Sequence, residues 1–309
     1  MTWLLWRQHR VQVIVSGAVI AVFGVAVVLT GLRMADLYAA SKAACPPGQA
    51  CFSGGLLDRY TAMVDTVHLT LLLPILLGAL VAAPLVAREA EQRTNALAWT
   101  QAVTRRRWMV TKTAAVVGGG LALATIVSVM VTWWSSTPNA VEGNRFQGAQ
   151  FDTQNLAPVA FALFAIGLGL FVGAVLRRTL PAVATTVGVY VAARMAVGVF
   201  LRPHWMAPVT AQAAAGQEPG VPKGSWVLSQ NLVDAEGRRA EGRIELPRSC
   251  DAAGRGVERC LDRLGYHIDV RYHPASHYWS FQLFESALFG GLGLVLVVGA
   301  VLWTLRHDA

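Results

Sequence analysis

Six long apolar stretches limit what this chain can fold into more than any other feature. Each has about 20 residues or more, the length at which an α-helix crosses the roughly 30 Å hydrocarbon layer of a bilayer. Such helices satisfy their own backbone hydrogen bonds inside lipid, where no water is present. The sequence therefore predicts six membrane-spanning helices, over residues 11–32, 66–87, 110–134, 156–176, 179–201 and 278–305.

The composition agrees with a membrane protein and argues against an ordinary soluble domain. Of the 309 residues, 54% are hydrophobic and only 14% are charged, and the mean hydropathy is +0.46. The formal net charge of +8 would suit a nucleic-acid partner, but the basic residues stand at the ends of apolar stretches and in one long loop. Membrane topology explains that distribution, so we expect no nucleic-acid partner.

Lysine and arginine are distributed unequally between the two predicted sides of the membrane. The N-terminus, the 88–112 segment, the turn at 177–178 and the C-terminus together hold eleven, whereas the short segments on the other side hold four. Basic residues in short loops resist translocation, so the richer side is expected to be cytoplasmic. We therefore expect a multi-pass protein of the cell membrane with both termini cytoplasmic. The 202–277 segment is then extracellular despite its ten basic residues, because long loops translocate largely regardless of charge.

The 202–277 segment predicts a small extracellular domain of mixed structure. Residues 211–226 are rich in Ala, Gly and Pro and lack an amphipathic period, so we expect irregular structure there. Residues 266–273 alternate apolar and polar side chains, a pattern typical of a half-buried strand, and 226–234 are a weaker strand candidate. Its clustered histidines match no standard metal site, so we expect no bound metal.

The four cysteines form two close pairs, Cys45 with Cys51 and Cys250 with Cys260. Both pairs fall in segments predicted to be extracellular, where an oxidising compartment permits disulfides. We therefore predict two disulfides between neighbours in sequence. Free thiols are the alternative, and zinc binding is disfavoured because neither pair has C-x-x-C spacing.

A charged insert, residues 88–112, separates the second and third predicted spans. Acidic residues stand at its start and arginines near its end, the order that favours a helix through its macrodipole. Apolar residues recur along it at helical spacing. The pattern predicts a helix over 88–109 that lies along the membrane and offers a polar face to a soluble partner. A solvated loop is the alternative.

The insert also carries a pattern found in a known family. Two spans followed by E-x-R-T-x-x-L-x-x-T-x-x-x-x-R-R-R, with a lysine at the start of the third span, resemble the permeases of type-2 ABC exporters. The opening TWxxWRQHR and the late YHPASHYWSFQLFESALF are similar to actinobacterial members of that family. The family usually has glycine where this chain has Arg93. The residues that carry the match are Glu91, Arg93, Thr94, Leu97, Thr100, Arg105 and Lys112.

The resemblance implies that the insert is a coupling helix seated on an ATPase subunit. The chain itself has no G-x-x-x-x-G-K-[ST] motif, so nucleotide hydrolysis is expected in a separate ABC ATPase dimer that binds ATP and Mg²⁺. The resemblance also implies a second permease copy, identical or not, and no cofactor bound by this chain. The residues expected to contact the ATPase are Glu89, Glu91, Arg93, Thr94, Leu97, Trp99, Thr100, Arg105, Arg106 and Arg107.

One charge, Arg194, falls well inside a predicted span. A buried arginine costs about 2.5–3.5 kcal/mol on insertion scales and usually faces protein or water. It lies roughly 10 Å from the outer end of the fifth span, at 1.5 Å per residue. Glu285 in the sixth span has a similar depth and is the expected partner, with Asp65 as second choice. A fixed ion pair, snorkelling to the outer surface and a substrate contact at a gate all fit this placement.

These patterns predict an all-α polytopic membrane protein with a small mixed extracellular domain. Residues 1–201 hold five spans, an interfacial N-terminal elbow and the coupling helix; residues 202–277 form the extracellular domain; residues 278–309 hold the sixth span. The expected function is the permease subunit of an ATP-driven exporter working by alternating access, with no catalytic residue. A membrane receptor or immunity-type binding protein is one alternative. An intramembrane enzyme is another, but no G-x-S-x-G or H-E-x-x-H motif supports it.

Overall fold

The structure is a computed structural model that describes residues 2–45, 58–91, 105–143, 145–146, 148–240 and 255–307. The chain forms two compact units. The first comprises Met1–Val141, Gly148–Met195 and Gln282–Ala309, and the second comprises Glu142–Gln147 and Ala196–Phe281. The first unit is helical, whereas the second contains a small sheet. The second unit therefore includes the predicted extracellular segment and a few residues on either side of it.

Six helices of the described residues are long and apolar enough to cross a membrane. The predicted number of spans and the mostly helical fold class are thus confirmed. Most spans begin within about five residues of the predicted start, as expected for boundaries read from hydropathy. We call them spans 1 to 6, and they are Gly17–Ala43, Thr61–Arg88, Met109–Trp134, Ala157–Leu176, Thr179–His204 and Ala275–His307.

The helix that contains span 1 is a single element, Thr2–Ala43, of 42 residues. The sequence predicted a separate interfacial elbow at its start, but no break separates the two, and that prediction was wrong. The reason is the absence of proline before Pro46, so nothing interrupts the backbone hydrogen bonds. At 1.5 Å per residue the helix is about 63 Å long. It is therefore about twice as long as the roughly 30 Å hydrocarbon layer is thick.

Span 2 is not a uniform α-helix. A 3₁₀ turn, Leu69–Leu72, ends two residues before Pro74, and a π-helical turn, Leu77–Ala82, begins three residues after it. Pro74 has no N–H to donate and its ring crowds the carbonyl four residues earlier, which explains the altered turn ahead of it. Around these turns the α-helical parts of the span are Thr61–His68, Leu73–Leu76 and Ala83–Glu91.

Span 4 is the most enclosed helix of the first unit. In its most apolar window 72% of the residues are buried, compared with 17–28% for the other five spans. A β-carbon at Gly169 would collide with the Gly78 carbonyl in span 2, and one at Gly167 would collide with the Gly293 carbonyl in span 6. Both contacts require glycine. The buried side chains around them are Ala82, Val86, Met109, Ile166, Leu170, Ala174 and Ala300.

Spans 1, 2 and 3 share a second apolar core. The indole N–H of Trp134 donates to the Thr30 hydroxyl at 3.0 Å, and that hydroxyl donates to the Ala26 carbonyl at 2.6 Å. The polar edge of the buried tryptophan is thereby satisfied. The buried residues of this core are Val27, Met34, Met63, Val67, Val127, Val131 and Trp134.

Two short helices, Ser136–Glu142 and Gly148–Thr153, connect spans 3 and 4. The second helix buries Phe151 completely, so it is packed into the first unit. The Ser128 hydroxyl in span 3 donates to the carbonyl of Asn155, just before span 4, at 2.6 Å. This bond holds the start of span 4 against span 3.

The second unit contains an antiparallel sheet in the order β1-β3-β2. The strands are β1 (Val209–Ala214), β2 (Trp226–Val233) and β3 (His267–His273). β2 and β3 lie where the sequence predicted strands. β3 is central although it is last in sequence, so both pairings join segments that are distant in the chain.

The prediction of irregular structure at 211–226 was wrong for its first residues, which belong to β1. Ala211 pairs with Val270 and Ala213 pairs with Ile268 across the ladder. Alanine has little preference for strands, but tertiary pairing overrides such preferences. The hydrogen bonds of the central strand are therefore what makes β1 extended. A short helix, Arg255–Arg263, precedes β3 and was not predicted.

The two predicted cysteine pairs are described only in part. Cys45 and Cys260 are not free thiols. Cys51 and Cys250 lie outside the described residues. The pairing of Cys45 with Cys51 and of Cys250 with Cys260 therefore stays a prediction.

Candidate functional site

A buried ionic cluster lies in the first unit where spans 5 and 6 meet the short helix Gly148–Thr153. The guanidinium of Arg194 contacts Asp152 Oδ2 at 2.6 Å through Nη2 and pairs with Glu285 Oε1 through Nη1. The side chain of Glu285 is fully buried, and those of Arg194 and Asp152 are only 13% and 18% exposed. The structure thus brings together one cation and two anions in a largely dry environment.

Gln282, one turn before Glu285 in span 6, fixes the backbone around this cluster. Its Nε2 donates to the carbonyl of Phe151 at 3.1 Å, and its Oε1 accepts from the backbone N–H of Ala157 at 3.0 Å. Because Gln282 is fully buried, both bonds form without competition from water. The glutamine therefore holds the residue next to Asp152 and the first residue of span 4 against span 6.

Two phenyl rings lie beside the guanidinium. The Cζ atom of Arg194 is 3.5 Å from the ring centroid of Phe161 in span 4 and 5.2 Å from that of Phe289 in span 6. The two rings meet edge to face with centroids 5.2 Å apart. Ring faces attract cations, and more strongly when water is excluded. The cluster is therefore held by aromatic contact as well as by charge.

The sequence predicted part of this cluster. Arg194 and Glu285 lie together, as their similar depth suggested, whereas the second choice, Asp65, is exposed on span 2. Asp152 was missed because it lies outside every predicted span. Its position just ahead of an apolar stretch was the one available signal, since such a residue enters the membrane region when its helix packs inward.

At the other ends of the spans, Glu91 contacts the start of span 5. Its Oε2 accepts from the Thr179 hydroxyl at 2.7 Å and from the Thr179 backbone N–H at 3.1 Å. The hydrogen bond from the Thr179 hydroxyl lowers the pKa of Glu91 below its ordinary value, and the backbone N–H and the nearby Arg178 and Arg88 act in the same direction. A carboxylate here satisfies donors that a helix start otherwise leaves unpaired and matches the helix dipole.

Most of the predicted coupling helix is outside the part of the chain that the structure describes. Helix Ala83–Glu91 ends at the start of the insert. A new helix begins at Arg105, so the three arginines form the first turn of the helix that continues as span 3. Arg107 is exposed. The side chains of Glu89, Arg105 and Arg106 are not described. Five further predicted contacts lie outside the described residues: Arg93, Thr94, Leu97, Trp99 and Thr100.

The second unit buries His273 of β3. Its Nε2 lies 3.2 Å from the carbonyl of Pro203, and its ring packs 4.9 Å from that of Phe281 and 5.6 Å from that of Trp226. Burial lowers the pKa of His273 below its ordinary value. Neutral His273 therefore belongs to an aromatic core of this unit. In the described residues no three or more metal-ligating side chains lie together.

The six spans and the insert between spans 2 and 3 agree with a comparison to known families. The family described as ABC-2 membrane transporter related matches residues 17–202, more than half of the chain. The chain belongs to this family. No curated protein and no solved structure matches it.

Membership identifies an ABC transporter permease subunit. The resemblance to type-2 ABC permeases is thereby confirmed, together with a multi-pass membrane protein that takes part in transport. The family implies an ABC ATPase as partner. The ABC-2 match covers spans 1 to 4 and span 5 as far as Arg202, and it ends before β1, so the sheet of the second unit lies outside it.

Proposed function

We propose that this ABC-2 permease belongs to an ATP-driven exporter in which a separate ATPase dimer binds and hydrolyses ATP with Mg²⁺. The family match over residues 17–202 carries the proposal. The chain contributes the membrane path and has no phosphate-binding motif of its own. Energy therefore enters through contact with the ATPase at the 88–109 insert and drives alternating access.

Hydrogen bonds among the span ends support a single cytoplasmic side. Glu91 joins the end of span 2 to the start of span 5, and Arg177 Nη2 donates to the His307 carbonyl at 3.3 Å, joining the ends of spans 4 and 6. These are the ends where basic residues accumulate, and such residues resist translocation. We therefore propose that both termini and the insert are cytoplasmic, and that the sheet and the predicted disulfides are extracellular.

Exposed apolar surface supports a second permease copy and surrounding lipid. Spans 1, 5 and 6 expose many large aliphatic side chains, such as Val22, Val199 and Val295 at 59–72%. A patch of this size on one chain needs an apolar partner. We propose that lipid covers part of this surface and a second permease, identical or homologous, covers the rest.

The decisive experiment is co-purification of the full-length permease with its ATPase. Reversing Arg105, Arg106 and Arg107 to glutamate is expected to release the ATPase, because the docking helix loses its cationic end. The matched control reverses three exposed cations of the second unit, Lys223, Arg239 and Arg263, and is expected to retain it. Retention of the ATPase by both variants would contradict the proposed docking surface. A wild-type permease that binds no ATPase would contradict the function itself.

Labelling in intact cells tests the proposed sides of the membrane. Trp99→Cys is expected to resist a membrane-impermeant maleimide until the cells are opened, whereas Lys223→Cys should react at once. The reverse order of reactivity would overturn the proposed orientation.

A further inference from the structure

Span 5 has one polar contact at its start and one at Arg194, and between them it buries a single face formed by Ala182, Thr186 and Tyr190. Only 17% of its most apolar window is buried, the smallest share of the six spans. Its first residue, Thr179, is held by Glu91, and Arg194 is held by Asp152 and Glu285. The two contacts are 15 residues apart, about 22 Å along a helix at 1.5 Å per residue. Two polar contacts and one buried face therefore hold span 5.

The inner contact is attached directly to the insert. Glu91 is the last described residue before the insert continues, and it ends helix Ala83–Glu91. Glu91 accepts hydrogen bonds from both the backbone N–H and the side-chain hydroxyl of Thr179. The contact therefore holds the backbone of span 5 and not only a side chain that can rotate. Glu91 thus connects the described start of the insert to the first turn of span 5.

The outer contact joins span 5 to two other elements. Arg194 reaches Asp152 on helix Gly148–Thr153 and Glu285 on span 6. Separating a buried charge from its partners is strongly unfavourable. If Arg194 moves, helix Gly148–Thr153 and span 6 are therefore expected to move with it, unless both ion pairs break together. Between the two contacts the helical hydrogen bonds are continuous, because Thr179–Ala196 is one α-helix. A continuous helix resists compression and extension, and rigid elements of this kind transmit displacement.

We propose that span 5 transmits movement of the insert from Glu91 to the ionic cluster at Arg194, with Glu91 as a positioning residue of the permease. This inference rests on the proposed function, because the movement originates in the ATPase. It replaces the expectation that Glu91 contacts the ATPase directly: its carboxylate is engaged with Thr179. ATP-driven movement of the insert reaches the ionic cluster through one helix that buries a smaller share of its most apolar window than any other span.

Hydrogen–deuterium exchange on the permease–ATPase complex tests the transmission. The complex is compared without nucleotide and after trapping with Mg-ATP and orthovanadate, and exchange is followed in peptides covering 148–153 and 190–196. In wild type, trapping is expected to change exchange in both peptides. In Glu91→Ala and Thr179→Val that change is expected to fall by about fivefold, the scale of a typical coupling between sites. The ATPase should stay bound and active in Thr179→Val, which lies outside the predicted docking residues.

Conservative variants separate transmission from general damage. Thr179→Ser keeps the hydroxyl donor and Glu91→Gln keeps an acceptor oxygen, so both should respond like wild type. Gly188→Ala adds a methyl group to span 5 where nothing lies within 4 Å, and it should also respond like wild type. Thr179→Val preserves side-chain volume and carries the test if Glu91→Ala does not fold.

Two results would overturn the inference while leaving the proposed function intact. One is a wild-type complex with bound ATPase in which hydrogen–deuterium exchange of the 190–196 peptide is the same with and without trapping. The other is a full response in both Glu91→Ala and Thr179→Val. A wild-type permease without any bound ATPase is distinguishable from both, because it contradicts the proposed function before any variant is made.

Discussion

Spans 4 and 5 follow one another in sequence, yet they are held in different ways. Span 4 is 72% buried in its most apolar window, and its glycines bring its backbone against spans 2 and 6. Span 5 is 17% buried and depends on Glu91 and on the Arg194 cluster. Close packing fixes a helix along its whole length, because displacement in any direction meets a neighbour. Span 5 buries only one face, at Ala182, Thr186 and Tyr190, and is held by two polar contacts, so it is less constrained than span 4.

Arg194→Ala is expected to break this comparison most strongly. It leaves Asp152 and Glu285 close together without a counter-charge, and removing one partner of a buried ion pair costs about 3–5 kcal/mol. Thermal unfolding of the purified protein in detergent should show a large loss of stability. The variant Arg194→Met with Asp152→Asn and Glu285→Gln carries no charge and should regain much of it. An Arg194→Ala protein as stable as wild type would show that span 5 is not anchored here.

A pair of glycine substitutions sharpens the contrast. Gly169→Val in span 4 forces apart two helix backbones, and overpacking of this kind costs about 1–3 kcal/mol. Gly188→Val in span 5 meets nothing within 4 Å and should change stability little. Both proteins are compared by thermal unfolding under the same conditions. Equal losses from the two substitutions would mean that spans 4 and 5 are packed alike.

Phe161→Leu tests the contact between the two spans. Loss of the ring removes a cation–π contact with Arg194 that contributes about 0.5–2 kcal/mol. Phe164→Leu on the same helix is the matched control, because its ring packs on Tyr190 and Phe289. The difference between the two variants in thermal unfolding should vanish in an Arg194→Met background. If the two variants still differ in thermal stability in the Arg194→Met background, the difference comes from ring packing and not from the cation–π contact.

The smallest expected effect concerns pH at the start of span 5. The pKa of Glu91 is lowered by its bonds to Thr179, so the folded protein favours the ionised carboxylate. That stabilisation is present above the ordinary carboxyl pKa and is lost as pH falls through the lowered value. Wild type should therefore lose its small stability advantage over Glu91→Gln as pH falls from about 6 to about 3. A thermal-unfolding gap between the two proteins that is constant over this range would contradict the contact.

Hydropathy predicted the six spans because each transmembrane helix closes its own hydrogen bonds, so length and composition are sufficient signals. It also gave depth along the membrane, and that is how Arg194 was matched to Glu285. It carries no information on helix rotation or lateral neighbours. Asp152 reaches Arg194 only because Gln282 packs Gly148–Thr153 inward, a contact between residues more than 125 positions apart. No local pattern reports such a contact.

The sheet shows the same limit. β3 was predictable because its alternating side chains are a local signal. β1 consists largely of alanine and small polar residues, and it is extended because β3 supplies its hydrogen-bond partners. Glu91 is a related case, since the pattern around it suggested an external partner and Thr179 is its partner in the fold. Where a partner comes from a distant segment, the sequence identifies the residue but not its contact.

The wide π turn at Leu77–Ala82 determines the direction in which Glu91 points. A π turn contains one residue more than an α turn, and each residue of an α-helix adds a rotation of about 100° about the helix axis. With a regular α-helix at those six positions, everything beyond Ala82 would be rotated by more than a quarter of a revolution. Glu91 would then point in a different direction, and its hydrogen bonds to Thr179 would not form. One surplus residue within span 2 thus sets the azimuth of a carboxylate just beyond its end.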